Sequence, residues 1–268
     1  MPSDNAPSFG YPPVPTDPVD TEVMRMWWND LTFLHWPSPS DEVQALLPEG
    51  ITADGWTGSD GISRTWVGLV PFRMTVGLPG GRVIPRLGVF PETNVRTYVR
   101  GLDGTAGVWF CSLEAGGLAA TASARLTYGL PYFWADMSIQ HRRPTNGWEW
   151  SYASTRRWPG PRGAHHRSTV RVGEPIATED VSEFEHYLTA RWGLFSRFPS
   201  ASSRRGRNLY AAVDHPRWCL RRATLLDLDD GLIAAAGLTP PEGDPVVHWT
   251  EGTEVRIGRP VLAGRQTG

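Results

Sequence analysis

Beyond a Pro/Ser/Asp-rich opening, apolar residues recur along the chain mostly in strand-like runs separated by turn formers. Val23 to Asn29 reads as a short tryptophan-rich helix leading into an apolar strand, Leu31 to Trp36. Ser40 precedes Asp41 and Glu42, acids that suit a helix N-terminus, and Val43, Leu46 and Leu47 form its apolar set before Pro48 and Gly50 end it. Strands are predicted over Ser63 to Val76, Asn94 to Leu102 and Gly107 to Leu113, the last two joined across Asp103-Gly104, a hairpin turn signal. Gly116 to Tyr128 is Ala/Leu-rich and reads as a helix closed by Gly129 and Pro131. Tyr132 to Arg142 and Trp148 to Trp158 flank a second hairpin signal, Asn146-Gly147, and Ser168 to Val172 is a further strand. Thr178, followed by Glu179 and Asp180, is the expected cap of an amphipathic helix through Arg191 with Val181, Phe184, Tyr187 and Leu188 on one face. The remaining strands are expected at Asn208 to Val213, Trp218 to Leu226, Val246 to Trp249 and Glu254 to Ile257. Many strands, few helices, no βαβ alternation and no internal repeat predict a β-dominated α+β domain of barrel-like form.

One domain, 21–262, accounts for the pattern. The arm 1–20 is too polar to be expected to pack, and 263–268 is a short tail expected to be disordered like the arm. Composition then removes whole classes of chemistry. All 26 basic side chains are arginine, so no side-chain amine exists to form a Schiff base, and the only other candidate amine, on Pro2 after loss of Met1, lies in the polar arm. The net charge is −2 and the arginines are scattered, which argues against a nucleic-acid surface. The pairs Arg142-Arg143, Arg156-Arg157, Arg204-Arg205 and Arg221-Arg222 read as solvated strand edges and loops. The chain has no apolar run long enough to cross a bilayer and no basic-then-apolar leader, so no membrane partner and a cytoplasmic location are expected. Cys111 and Cys219 lack metal-ligand spacing and are expected to be buried free thiols. Neither phosphate loop, HExxH nor GxSxG is present, and His165-His166 is the only close histidine set, so no metal and no cofactor are expected.

The informative positions are polar residues inside apolar strands. His35 lies between Leu34 and Trp36, Glu92 opens a strand, and Arg96 and Tyr98 share that strand's face at period two. Glu92 and Arg96 either satisfy each other or face a pocket. His35 and His215 are either hydrogen-bonded core histidines or pocket residues.

At these residues the chain resembles the YqjF-like bacterial proteins, domain of unknown function 2071. The resemblance runs in order through LTFLHW (Leu31 to Trp36), LLPEG (Leu46 to Gly50), WVGLVPFRM (Trp66 to Met74), NVRTYV (Asn94 to Val99), GVWFCSL (Gly107 to Leu113), LPY (Leu130 to Tyr132), LTARW (Leu188 to Trp192) and HPRWCL (His215 to Leu220). It implies a fold shared with acetoacetate decarboxylase, a β-rich cone or barrel with a few peripheral helices around a small-molecule cavity. The decarboxylase motif resembles Gly-x-Pro-Lys-Lys, and the matching stretch is Gly129-Leu130-Pro131-Tyr132-Phe133. Tyr132 thus stands for the Schiff-base lysine and Phe133 for the neighbouring cation, while the decarboxylase glutamate falls on Glu92 and its active-site arginine on Asn29. Decarboxylation through a lysine imine is excluded.

What remains points first to a metal-free acid/base enzyme for a small carbonyl or carboxylate compound, acting in hydration, isomerisation or cyclisation. Glu92 is the expected base, Tyr132 the weak acid and Arg96 the anion ligand, with Asn29, His35, Tyr98, Phe133 and His215 as further binding residues. The alternative is a non-catalytic ligand-binding or sensing module whose pocket is lined by aromatics such as Trp109, Tyr128, Phe133 and Trp134. An exposed aromatic patch could also form a homodimer interface.

Overall fold

The first strand is longer than its apolar pattern suggests, and it sets the frame for everything else. In the computed structural model, which describes residues 10–15, 18–83, 88–117, 129–200 and 203–264, β1 runs from Glu22 to Ser38. It absorbs the segment 23–29 that was expected to be helical. There Met24, Met26 and Trp28 alternate with Arg25 and Trp27, a period of two rather than 3.6. Beyond Asp30 both faces are buried: Leu31 and Phe33 enter one core cluster, Leu34 and Trp36 another, which is why LTFLHW shows no alternation.

Asp30 is the point where the faces exchange. Its φ of 53° inserts an extra residue relative to the neighbouring strand, so even-numbered side chains face the first core before it and odd-numbered ones after it. The partner strand bends with it at Gly252, φ 112°, directly opposite Asn29. A Cβ on Gly252 would lie 1.9 Å from the Trp28 carbonyl oxygen. Gly252→Ala is therefore expected to destabilise the protein by about 3 kcal/mol or more, read as a lower denaturant midpoint at unchanged slope.

The order after β1 is α1 (Ser40–Leu46), β2 (Ile51–Ala53), β3 (Trp56–Thr57), β4 (Ser63–Gly77), β5 (Val89–Gly101), β6 (Ala106–Ala115), β7 (Tyr132–Arg142), β8 (Glu149–Trp158) and β9 (His165–Pro175). There follow a 3-10 turn (Thr178–Asp180), α2 (Glu183–Thr189), β10 (Gly193–Ser200), β11 (Ser203–Asp214), β12 (Arg221–Asp230), α3 (Leu232–Ala235), β13 (Val246–Gly258) and β14 (Val261–Leu262). The main sheet runs β14-β11-β10-β6-β7-β8-β9-β12-β13-β1-β4-β5-β2, with β3 on β4. Two further pairings, β5 with β6 and β11 with β13, fold it back on itself. Because β6 and β13 each take three partners, the sheet is branched rather than one regular barrel. The expected β-dominated architecture with a few helices is what forms.

Several local expectations change. Thr178 opens only the short 3-10 turn, and α2 is capped instead by Ser182, whose Oγ accepts from the Glu185 N–H while the Glu185 carboxylate accepts from the Ser182 N–H. The two strands expected after residue 245 are one, β13, bent at Gly252. Most of the helix expected over Gly116 to Tyr128 lies outside the described residues. Cys111 is free but only half-buried, and Cys219 is free and exposed, because its neighbours Trp218 and Leu220 take the inward positions. Arg156, expected at a solvated edge, is 1% exposed and held by Glu114 at 2.5 Å. Part of the arm does pack: the Tyr11 ring lies 5.0 Å from Tyr187, its hydroxyl donates to Asp54, and the Pro12 carbonyl accepts from Trp192 Nε1. No helix among the described residues is long and apolar enough to cross a membrane.

Candidate functional site

A cavity of about 100 Å³ lies inside the first core cluster, walled by β1, β4, β5, β6 and the segment after α2. An apolar void of about 150 Å³ accommodates benzene, so the space suits a ligand of a handful of heavy atoms. Apolar side chains make up most of its wall, among them Met26, Val70, Phe72 and Val108. Its polar lining includes one stripe on β5, where Glu92, Asn94 and Arg96 point inward at period two, roughly 6–7 Å apart along the strand. Tyr132, at the start of β7, closes one end of the stripe. Its hydroxyl donates to Glu92 Oε2 at 3.1 Å.

Glu92 is 2% exposed, and burial pushes its carboxyl up to about 8, a rise that the Tyr132 hydrogen bond opposes. It therefore keeps its proton at neutral pH, the reverse of the base expected from sequence. Burial and the adjacent carboxyl together hold the Tyr132 phenol well above its ordinary value, so it too stays protonated.

Arg96 sits at the other end of the stripe, 6% exposed. Its Nη2 donates to the Leu188 carbonyl at the C-terminal end of α2, 3.1 Å away, and its guanidinium lies 5.3 Å from the centre of the Phe33 ring. Neither Glu92 nor any other carboxylate pairs with it among the described residues, and its Nε has no partner. The mutual Glu92–Arg96 pairing considered from sequence is absent. Arg191, which also lines the cavity, is by contrast committed to Asp54 at 2.8 Å. Four lining side chains carry a buried polar atom without a partner among the described residues: Trp28 Nε1, Asn94 Oδ1, Arg96 Nε and Arg191 Nη2. Three of these are donors.

Of the other residues predicted from sequence, His215 lines the cavity. Its Nδ1 donates to the Pro216 carbonyl at 2.7 Å, and burial lowers its ring to about 4, so it is neutral at pH 7 with Nε2 as an acceptor. Tyr98 and His35 form a layer behind Arg96. The Tyr98 hydroxyl donates to the Leu188 carbonyl at 2.5 Å and lies 2.6 Å from His35 Nε2, which assigns the Nε2–H tautomer to His35. Desolvation, aided by the Arg96 charge, keeps His35 neutral. Asn29 does not line the cavity, because it alternates with Trp28 immediately before the Asp30 bulge. Phe133 does not either: it follows Tyr132 on β7, faces the other side of the sheet, and lies 3.5 Å beneath the Arg156 guanidinium. Trp109 and Trp134 line other depressions, and Tyr128 is outside the described residues. Sequence reasoning missed Trp28, Asn94, Arg191 and Trp218. Of these only Asn94 carried a signal, its position two residues from both Glu92 and Arg96.

The fold has known relatives. An enduracididine biosynthesis enzyme, MppR, overlays with a TM-score of 0.58 at 13% identity, over 90% of this chain and 88% of that one. Its complex with pyruvate gives 0.56 at 13% identity, over 90% of this chain and 91% of that one. Acetoacetate decarboxylase from Legionella pneumophila gives 0.57 at 15% identity, over 93% of each chain. At such identities these establish the acetoacetate decarboxylase-like fold alone. In sequence, the chain is 32% identical over 237 residues to the uncharacterized protein YqjF of Bacillus subtilis (strain 168), 87% of this chain and 89% of the relative. The family model DUF2071, described as an uncharacterized conserved protein, matches residues 25–254, from within β1 to within the bent β13. A match of that extent makes this chain a member of the DUF2071 family.

Proposed function

We propose that the cavity binds a small oxo acid, its carboxylate on Arg96 and its carbonyl oxygen at the Glu92–Tyr132 pair, and that the pair serves acid/base chemistry at that carbonyl. The observation that carries this reading is the buried Arg96 cation, which lacks a carboxylate among the described residues and, with its own Nε unpartnered, shares its cavity with two further donors in the same state, Trp28 Nε1 and Arg191 Nη2. A buried charge without a partner is costly, and an anionic ligand removes that cost. The apolar remainder of the wall suits the short carbon skeleton of such a ligand. Glu92, holding its proton at neutral pH and with Oε2 occupied by Tyr132, is placed to donate to a carbonyl oxygen. With no lysine in the chain, the carbonyl is activated by hydrogen bonding rather than as a lysine imine. A similar fold in a protein complexed with pyruvate supports the ligand size.

Trp28 and Trp218 line the cavity and report its occupation. Titration of tryptophan fluorescence with pyruvate, 2-oxobutyrate and levulinate is expected to saturate. The neutral ketone 2-butanone should bind at least tenfold more weakly, since it leaves Arg96 unpaired. Equal affinity for ketone and acid, or no response to any acid, would overturn the assignment. Mass spectrometry of the same mixtures separates a catalyst from a binding module: consumption of the bound acid identifies the first, saturation with no product the second.

A further inference from the structure

We infer that His215 is the base of this cavity and that the chain enolises its ligand, removing a proton from the carbon beside the carbonyl. The inference rests on the oxo-acid reading above and adds a residue and a reaction to it. Its starting point is geometric. His215 is 4% exposed, lines the cavity, and has one ring nitrogen already committed to the Pro216 carbonyl. Among the described residues the ring bonds through Nδ1 alone, and Nε2 is the atom left to meet a ligand. The ring is held between Trp192 and Trp218, with centroid distances of 4.5 and 4.6 Å, so its orientation is set before a ligand arrives. The same two indoles stabilise the imidazolium that proton transfer would create.

The charged and titratable groups around His215 are Asp214 from β11, Arg96 from β5, Arg191 after α2, and Glu92 and Tyr132 in the same lining. Asp214 is occupied by Arg256 and Arg191 by Asp54. Glu92 and His215 are thus two titratable groups in one cavity whose surroundings move them in opposite directions, the carboxyl up to about 8 and the imidazole down to about 4. Such separation is how a site holds an acid with its proton and a base without one at the same pH.

The step balances without any further reactant. The Nε2 lone pair takes the proton from the carbon next to the carbonyl, and the C–H bonding pair becomes the C=C bond of the enol. The carbonyl π pair moves to oxygen, which takes the carboxyl proton of Glu92. Imidazolium and carboxylate remain, and the reverse steps restore both. In deuterium oxide, an imidazolium that exchanges its N–H proton with solvent before the reversal returns a deuteron to carbon.

The test follows deuterium incorporation into the pyruvate methyl group and the 2-oxobutyrate methylene by proton NMR, with binding measured on the same samples by tryptophan fluorescence. Exchange above the buffer blank is expected in the parent. His215→Gln should lower it at least a hundredfold while acid affinity changes by less than about threefold. Should His215→Gln fold poorly, the pH profile of the parent decides: exchange should fall on the acid side as His215 gains a proton near pH 4 and on the alkaline side as Glu92 loses its own near pH 8. Binding without exchange, exchange undiminished in folded His215→Gln, or a profile rising steadily with pH would each overturn the role of His215 and leave the ligand reading standing. No binding of either acid overturns both.

Discussion

In Glu92→Gln, the stability that the parent loses as pH rises through neutrality should be retained. The Glu92 carboxyl titrates at about 8 in the folded chain and near 4.5 when exposed, so between these values the folded state holds a proton that the unfolded state has released. Stability contributed by that proton is present in full below about pH 4.5 and disappears as pH climbs toward 8. For a side chain this buried the change amounts to about 1.4 kcal/mol per pH unit, and glutamine, which is never ionised and still accepts from Tyr132, does not undergo it. Histidines complicate the parent curve, because His215, His35 and His248 have lowered values and push stability the other way, upward with pH. The difference between variant and parent isolates Glu92. Measured by denaturant unfolding, it should move by roughly 3–4 kcal/mol in favour of the variant from pH 5 to pH 8. A difference flat across that range would mean that Glu92 is ionised in the folded protein, and its role as proton donor would fall.

The same strand shows why part of the site could be read from sequence and part could not. Glu92, Arg96 and Tyr98 are polar residues at period two within an apolar run, and on a straight strand that spacing is enough to place them on one face. Asn29 fails the same reasoning because Asp30 inserts a residue, and a bulge leaves no signature in the alternation of a strand buried on both sides. The resemblance to Gly-x-Pro-Lys-Lys puts Phe133 in the cavity beside Tyr132. A strand sends successive side chains to opposite faces, so Tyr132 and Phe133 cannot both enter. His215 is visible as a polar residue near an apolar run, and Pro216 and Trp218 are its neighbours in sequence, but the turn that brings both onto the ring and the approach of Trp192 from the segment after α2 leave no pattern in the sequence. Similarly, Ser182 rather than Thr178 caps α2 because its bond with Glu185 is reciprocal, while an acidic pair after Thr178 supplies charge only.

Two buried arginines should respond in opposite ways to one substitution. Arg156 is 1% exposed and paired with Glu114, which is 0% exposed, so Arg156→Met strands a carboxylate and is expected to destabilise the protein by about 3–5 kcal/mol. Arg96 is also buried but has no carboxylate among the described residues to strand. Methionine fills a similar length of apolar wall, and the Leu188 carbonyl that loses the Arg96 bond keeps the Tyr98 hydroxyl. Arg96→Met is thus expected to leave the ligand-free protein at least as stable as the parent, with a melting temperature unchanged or higher. Its affinity for small oxo acids should fall on the order of a hundredfold, in keeping with the loss of one partner of a buried charge pair. A chain that carries an unpaired cation in an apolar chamber gives up stability that a folding role does not require, and the gain appears only when an anion arrives. If Arg96→Met instead melts several degrees lower in the manner of Arg156→Met, while oxo-acid affinity is unchanged, the guanidinium serves to hold α2 in place and the cavity has lost its anion anchor.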